Sequence, residues 1–441
     1  MTAFRGLPGL TTAGVLVVGG LMVGSVAHPA PAQAQEVVSC PAPAGIAGDL
    51  AHPFAAVRYL ADDLLEGRLS GSVGERCAAE YIAVEFERIG LAPGGAQGGY
   101  LQPVSLRTVM NPHAPDGVGM NVVGVLEGSD PELRNETVVL GAHHDHLGHG
   151  ELFGSLATAD DPEDAIHNGA DDNASGVGVL LAAAEALAAG PAPARTIVFV
   201  TFTGEEFGLL GSAHYVENPA TPLEGTVAMV NLDMVGRLEE DPLIVNGTGT
   251  AEEWDALLDS LEVAEGIPMV RSPEGFGPSD HTSFYARDIP VLHLFTNVHG
   301  DYHRPSDEWH LVDREGMERI ASLVTGILRD VADRPAPITH LAGAGAPPGG
   351  ADAGYASWLG TVPDFAPVDY GVRLSGVSGG SPAEEVGMQA GDILIRLGSF
   401  EIDDLYALTD ALAALEPGME VEAVYLRDGE EVSVSVVLGQ R

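Results

Sequence analysis

The sequence predicts an α/β protein: a mostly parallel mixed sheet with helices on both faces, followed by a small β-rich module. Three observations lead there. Short apolar runs of strand type recur at 121–126, 137–141, 195–202, 227–232 and 290–295, with helical patterns at 177–189 and 207–216 between some of them. Several runs stop abruptly in loops that carry His, Asp or Glu. A stretch rich in Pro, Ala and Gly at 335–354 then sets off a separate module, 355–441.

Taken in order, the N-terminus has the pattern of an export signal, residues 1–34. Arg5 is the only charge before an apolar stretch from Val15 to Val26, and Ala32-Gln-Ala34 offers small residues for cleavage. That stretch is short for a spanning helix, which needs roughly 20 residues. The expected location is therefore periplasmic or extracellular, with no stable membrane anchor. The chain has two cysteines, Cys40 and Cys77. An even pair in an exported protein suggests a disulfide.

Residues 48–92 read as helices, because Phe54, Val57, Leu60, Leu64 and then Ala78, Tyr81, Ile82, Phe86, Ile89 fall mostly three or four apart. Leu65-Glu-Gly-Arg-Leu-Ser-Gly-Ser72 reads as a loop between them. The strand-and-helix series follows, and a helix at 315–331 closes it. The peptide between 35 and 334 forms the main domain. No long-period repeat interrupts it.

The formal net charge is −44, and every basic side chain is arginine. Such acidity argues against nucleic acid or an anionic membrane as a partner. With 64 acidic residues, no single carboxylate is informative by itself.

The strand ends are informative jointly. Thr137-Val-Val-Leu-Gly-Ala-His-His-Asp-His-Leu-Gly148 places His143 and Asp145 where an apolar run stops. Ligands bind beyond the carboxyl ends of strands in such sheets, and an aspartate near a histidine can fix its ring while the histidine holds a metal. Asn168-Gly-Ala-Asp-Asp-Asn-Ala-Ser-Gly176 opens an apolar helix, with Asn173 or Ser175 suited to capping it. A helix start alone would account for Asp171 and Asp172. Thr203-Gly-Glu-Glu-Phe207 ends a buried strand with Glu205 and Glu206, where unpaired charge is costly. One could bind a metal while the other takes a proton from water. Asn231-Leu-Asp-Met-Val-Gly236 supplies Asp233, and Asp301-Tyr-His-Arg-Pro-Ser-Asp307 supplies His303. Mixed imidazole and carboxylate donors suit zinc, and a bridging carboxylate suits two ions.

These strings, in order and spacing, resemble the co-catalytic dizinc aminopeptidase family that includes secreted bacterial leucine aminopeptidases and aminopeptidase Y. The resemblance covers roughly residues 48–333 and implies a zinc exopeptidase fold of phosphorylase/hydrolase-like type. It implies two Zn2+ per chain: His143 and Asp233 on one, Glu206 and His303 on the other, with Asp172 bridging and a cis peptide to Asn173. It further implies Asp145 orienting His143, Glu205 as general base, and Tyr302 as an oxyanion donor. His144, His146, His149 and His167 are expected not to be zinc ligands, His144 and His146 being bystanders, and Ser279-Asp-His281, which also resembles a family motif near the substrate, is given no role. Peptides are the implied substrates. Alternatives are a glutaminyl cyclase or a glutamate carboxypeptidase-type enzyme on the same fold. Cyclases use one zinc, so five ligand positions weigh against the first.

The module 355–441 resembles a PDZ domain. Ser357-Trp-Leu-Gly-Thr361 resembles its carboxylate-binding loop, and 381–395 resembles a segment common in PDZ modules of exported proteases. A groove helix is expected at 403–415, with strands at 420–425 and 432–438. Such a groove adds a peptide as an extra strand and captures its C-terminal carboxylate. A further alternative is therefore a catalytically silent scaffold, for which lost ligand positions would be expected. All five are present.

Overall fold

The computed structural model describes residues 40–440 except 49, 108–113, 151, 153, 158–160, 162–164, 239–241, 342–356, 364–369, 378–379, 404 and 428. The expected signal segment and most of the expected linker lie outside the described residues. Among those described, no helix is long and apolar enough to cross a membrane.

The elements up to residue 333 form the larger part. Helices α1 (Pro43–Ile46), α2 (Phe54–Leu60) and α3 (Val73–Ile89) come first. Strands β1 (Ala92–Pro93), β2 (Leu101–Ser105), β3 (Val118–Leu126) and β4 (Thr137–His143) follow. Then come α4 (Gly176–Ala189), β5 (Thr196–Phe202), α5 (Leu210–Glu217), β6 (Thr226–Leu232), β7 (Leu243–Asn246) and α6 (Trp254–Glu265). The series ends with β8 (Met269–Arg271), α7 (His281–Tyr285), β9 (Val291–Phe295) and α8 (Arg314–Asp333).

The nine strands make one sheet in the order β1-β3-β5-β4-β6-β9-β7-β8, with β2 also on β3. Its centre is parallel, β5-β4-β6-β9, and β3 and β7 join that centre antiparallel. Every residue of β4 and β5 is buried, as expected for central parallel strands covered on both faces. The register pairs His143 with Phe202 and Gly141 with Asn231. The carboxyl ends of β4, β5 and β6 therefore open on the same edge.

Local sequence explains the main helices. Ser72 caps α3 by accepting from the Glu75 amide at 3.2 Å, and Gly90 ends it at φ +91°. Ala78, Tyr81, Ile82 and Phe86 are its buried stripe. Asp313 caps α8 through the Gly316 amide at 2.9 Å, and Ile320, Val324, Ile327 and Val331 face inward. Each such fully buried aliphatic side chain contributes roughly 1.5–3 kcal/mol. The helix expected at 207–216 starts later, at Leu210. Gly208 and Leu209 have φ of +105° and +60°, so the chain turns after Glu205 before it can wind. Cys40 and Cys77 form a disulfide that fastens residue 40 to α3.

The second module has its own core, which includes Leu374, Leu394, Leu397, Ala411 and Tyr425. Strands β10 (Ser357–Trp358) and β17 (Gly439–Gln440) pair with each other. The antiparallel series β11 (Thr361–Pro363), β12 (Val372–Val377), β13 (Ile393–Leu397), β15 (Glu420–Arg427) and β16 (Glu430–Val437) makes the sheet, with β14 (Phe400–Glu401) on β13. Helices α9 (Pro382–Glu385) and α10 (Leu405–Ala414) complete it. The expected groove helix and late strands fall on α10, β15 and β16. Ser357 Oγ donates to the Leu412 carbonyl, which ties the start of the loop to α10.

Candidate metal centre

The strand ends bring His143, Asp172, Glu205, Glu206, Asp233, Tyr302 and His303 to one cavity. His143 is the last residue of β4, Glu205 and Glu206 follow β5, and Asp233 follows β6. Asp172 lies in the turn that enters α4, and a cis peptide links it to Asn173.

Asp172 faces two histidines. Its Oδ1 is 3.2 Å from His143 Nε2 and its Oδ2 is 3.2 Å from His303 Nε2. Asp233 Oδ1 is 3.2 Å from His143 Nε2, and Glu206 Oε2 is 3.1 Å from His303 Nε2. Two triads thus share one carboxylate. Donors around a tetrahedral zinc stand roughly 3.3 Å apart, a spacing these four histidine–carboxylate pairs match, and donor atoms of His143, Asp172 and Glu206 all lie within 4.8 Å of one another. Donor atoms of His143, Glu205 and Asp233 also lie within 4.8 Å of one another, which puts Glu205 beside the centre rather than far from it.

The electrostatics agree. The histidines and carboxylates of the cavity shift one another's protonation. Burial lowers the His303 pKa, but Glu206 and Asp172 outweigh it and push it up to about 10. Burial opposes His143 likewise, yet Glu205, Asp233 and Asp172 raise it well above the usual histidine value. Burial and Asp172 push Glu206 up, but His303 and His146 win and hold it down at about 2. Glu205 goes the other way. Burial, with the charges of Asp233, Asp280 and Glu206, raises its carboxyl well above the usual range despite His143. Burial first, then Asp172, Glu206, Glu205 and Asp233, hold the Tyr302 phenol protonated and able to donate.

Asp145 is fully buried, but its carboxylate is not the closest contact of the His143 ring. His143 Nδ1 lies 3.3 Å from the Asp145 carbonyl and 3.8 Å from Oδ1. The carboxylate instead accepts from Ser70 Oγ at 2.7 Å and from the Glu205 amide at 3.2 Å. It holds the Glu205 backbone as well as lying beside the His143 ring.

Further residues beyond the expected ligands build the floor. Buried Arg68, in the loop before α3, donates to the carbonyls of Leu60, His144, Asn168 and Gly169. Asp307 Oδ2 accepts the amides of Asp171 and Asp172 at 2.9 and 3.1 Å. Asp171 accepts from the Gly236 amide at 2.6 Å and lies 3.1 Å from His299 Nε2. Asn173 Oδ1 accepts from Gly176 and Met234. Ser279 Oγ donates to Asp233 Oδ2 at 2.6 Å and accepts from Asn231 Nδ2 at 2.7 Å.

Nor are the neighbouring histidines all bystanders. His144 Nε2 is 3.2 Å from Glu75 Oε1, a structural tie to α3. His167 Nε2 is 2.8 Å from Ser155 Oγ. His146 Nδ1 is 2.6 Å from Glu206 Oε1. The only sequence signal for it was its place in the His-rich string.

The remaining wall of the cavity includes Met234, Pro278, Phe295 and Val298, an apolar surface beside the charged floor.

Comparison with known proteins gives the following. Residues 121–328 match the model of Peptidase family M28, and residues 363–438 match that of the PDZ domain. The chain is 26% identical to Leupeptin-inactivating enzyme 1 of Streptomyces exfoliatus over 333 residues, 72% of this chain and 67% of that protein. It is 30% identical to Aminopeptidase YwaD of Bacillus subtilis (strain 168) over 177 residues, 38% of each. The chain therefore spans about two thirds of the first relative and well under half of the second. Among solved structures, a Zn-dependent exopeptidase from Parabacteroides distasonis is similar at a TM-score of 0.51 and 20% identity, covering 63% of this chain and 97% of that one. A glutaminyl cyclase from Porphyromonas gingivalis is similar at 0.51 and 18%, covering 62% and 95%. At these identities the likeness shows the fold.

Proposed function

Residues 121–328 are a peptidase domain of family M28 and residues 363–438 a PDZ domain, and from that premise we propose an exported dizinc aminopeptidase that releases N-terminal residues from peptides. The observation that carries this reading is the pair of histidine and carboxylate triads sharing Asp172. His143, Asp172 and Asp233 would hold one zinc, and His303, Asp172 and Glu206 the other. Bound there, zinc would polarise the scissile carbonyl and make a water acidic enough to attack it.

The rest is the work of the chain. Glu205 accepts the proton of the attacking water and returns it to the leaving amine. Asp145 holds the backbone of that base through the Glu205 amide. Tyr302 donates its phenol proton to the developing oxyanion. The carboxylates around the cavity attract the substrate's α-ammonium group, which favours a free N-terminus. The apolar wall of Met234, Phe295 and Val298 receives the first side chain.

Export is supported by the N-terminal signal pattern and by the Cys40–Cys77 disulfide, since such bonds persist in oxidising compartments. The PDZ domain would hold a peptide C-terminus at the loop before β11.

The test uses purified residues 35–441. Bound zinc is counted, and cleavage of aminoacyl-p-nitroanilides is compared with N-blocked substrates and with cyclisation of N-terminal glutaminyl peptides. Two zinc ions and release that requires a free amine are expected. One zinc with cyclisation would replace the reading by a cyclase. Cleavage from the C-terminus would replace it by a carboxypeptidase.

A further inference from the structure

The two terminal carboxylates of the centre are built alike. Asp233 turns Oδ1 to His143, while its Oδ2 is held by the Ser279 hydroxyl. Glu206 turns Oε2 to His303, while its Oε1 meets His146 Nδ1 at 2.6 Å. His146 is fully buried and itself fixed. Its amide donates to the Arg68 carbonyl at 3.1 Å, and its ring lies against Gly169, where an added Cβ would come within 2.5 Å of Cδ2. The ring stands 5.7 Å from that of His303 in an edge arrangement. Nδ1 is 4.0 Å from Asp172 Oδ2, so the bridging carboxylate is not its partner.

We propose that His146 is the positioning residue of Glu206: its Nδ1–H fixes Oε1, leaves Oε2 alone to face the His303 side, and so sets the zinc affinity of that half of the centre. This rests on the dizinc reading. Nε2 of His146 has no hydrogen-bond partner among the described residues. A proton there would be a buried, unpaired donor, which is costly. The ring is thereby steered to the tautomer that carries its proton on Nδ1. A short bond between that proton and a carboxylate is of the strong, charge-assisted kind. Groups that hold a metal ligand from behind typically change metal affinity about 10–100-fold.

The shape of the ring supplies the test. Asparagine places its side-chain nitrogen where Nδ1 stands, whereas glutamine places it near Nε2. Full-length mature protein, residues 35–441, is stripped of metal. Zinc uptake at each site is then read by competition with a chromogenic chelator, beside thermal melting of the metal-free forms. Wild type should take two zinc ions. H146Q and H146L should keep one at wild-type affinity and bind the other about tenfold or more weakly. H146N should recover most of the loss, and all metal-free forms should melt close together. H146Q serves where H146L does not fold.

Two zinc ions held by H146Q at wild-type affinity would overturn the assignment and leave the dizinc reading intact. So would H146N as weak as H146Q, which would make the residue a packing element. A wild-type chain that takes up no zinc would overturn the reading of the centre, and this assignment with it.

Discussion

Arg68 Nη2 donates to the main-chain carbonyl of Gly169 at 3.0 Å, three residues before the shared carboxylate Asp172. The same guanidinium reaches the His144 carbonyl at 2.9 Å and the Asn168 carbonyl at 2.6 Å. One buried cation thus fastens the turn after β4 to the turn before α4. Burial pulls its pKa down to about 10, although Asp172, Asp145, Asp307 and Glu206 work against that. It remains charged at neutral pH.

Replacing Arg68 by methionine should therefore cost stability and metal together. Four carbonyls would lose a buried donor, at about 1–3 kcal/mol for each left unpaired. A loss on the order of 3 kcal/mol or more is expected in urea unfolding, with weaker zinc uptake. Arg68→Lys should rescue little, because one ammonium cannot reproduce the fork that spans four acceptors. A lysine variant as stable as wild type would refute this account.

Glu205→Gln should separate chemistry from metal binding. Glutamine keeps the size and the amide contact to Asp145 but cannot accept the water's proton. A fall in kcat of about 10²–10⁴ is expected, with zinc content unchanged. Full activity in this variant would sink the proposed mechanism.

Those two residues also mark what the sequence revealed. Glu205 was legible because it stands in a string, at the end of an apolar run, where a charge needs a reason. His143, Glu206 and Asp233 stand at such run ends too, while Asp172 and His303 were picked out by their strings and the family resemblance, and the structure brings all of them to one cavity. Arg68 was not legible. It sits in a loop at φ +49° and acts only on carbonyls, two of which lie 100 and 101 residues away. Asp307 was hidden for the same reason, and Ser279 was singled out without a role, since their partners lie on other loops. His146 was visible, but alternation in a His-rich string cannot say which ring turns inward. Strands β7 and β8 have four and three residues, too few for a period to show.

Tyr302→Phe should affect turnover more than binding. Among the described residues the phenol makes no hydrogen bond to a ligand, and its ring stacks on that of His303 at 3.8 Å, a contact phenylalanine retains. Losing one oxyanion donor costs about 10²–10³ in kcat. KM and zinc content should stay close to wild type. A variant that loses zinc instead would make Tyr302 structural.

Acid should weaken the tie between α3 and the segment just before α2. Burial raises the Glu85 pKa, but hydrogen bonds with His52 and Arg88 outweigh it, so the folded value lies below the usual one. The contacts are 3.0 and 2.6 Å. A lowered carboxylate pKa gives stability above the unfolded value, about 4.3, and loses it as pH falls through the folded value. Glu85→Gln should therefore be less stable than wild type at neutral pH, and the gap should close below about pH 4. Unfolding of both proteins across that range measures it. A gap independent of pH would show that charge is not involved.

Removal of zinc should destabilise one core and spare the other. Asp172, Glu205, Glu206 and Asp233 line one cavity, and a bound cation would relieve their mutual repulsion. Zinc at 100 times its dissociation constant adds about 2.7 kcal/mol to the folded state. For a domain of this size that corresponds to several degrees in Tm. The second core, around Leu394 and Tyr425, contains none of these ligands. Calorimetry with and without a chelator should show the peptidase transition move down while the PDZ transition stays in place. A peptidase transition that ignores the chelator would remove the metal from the account of this site.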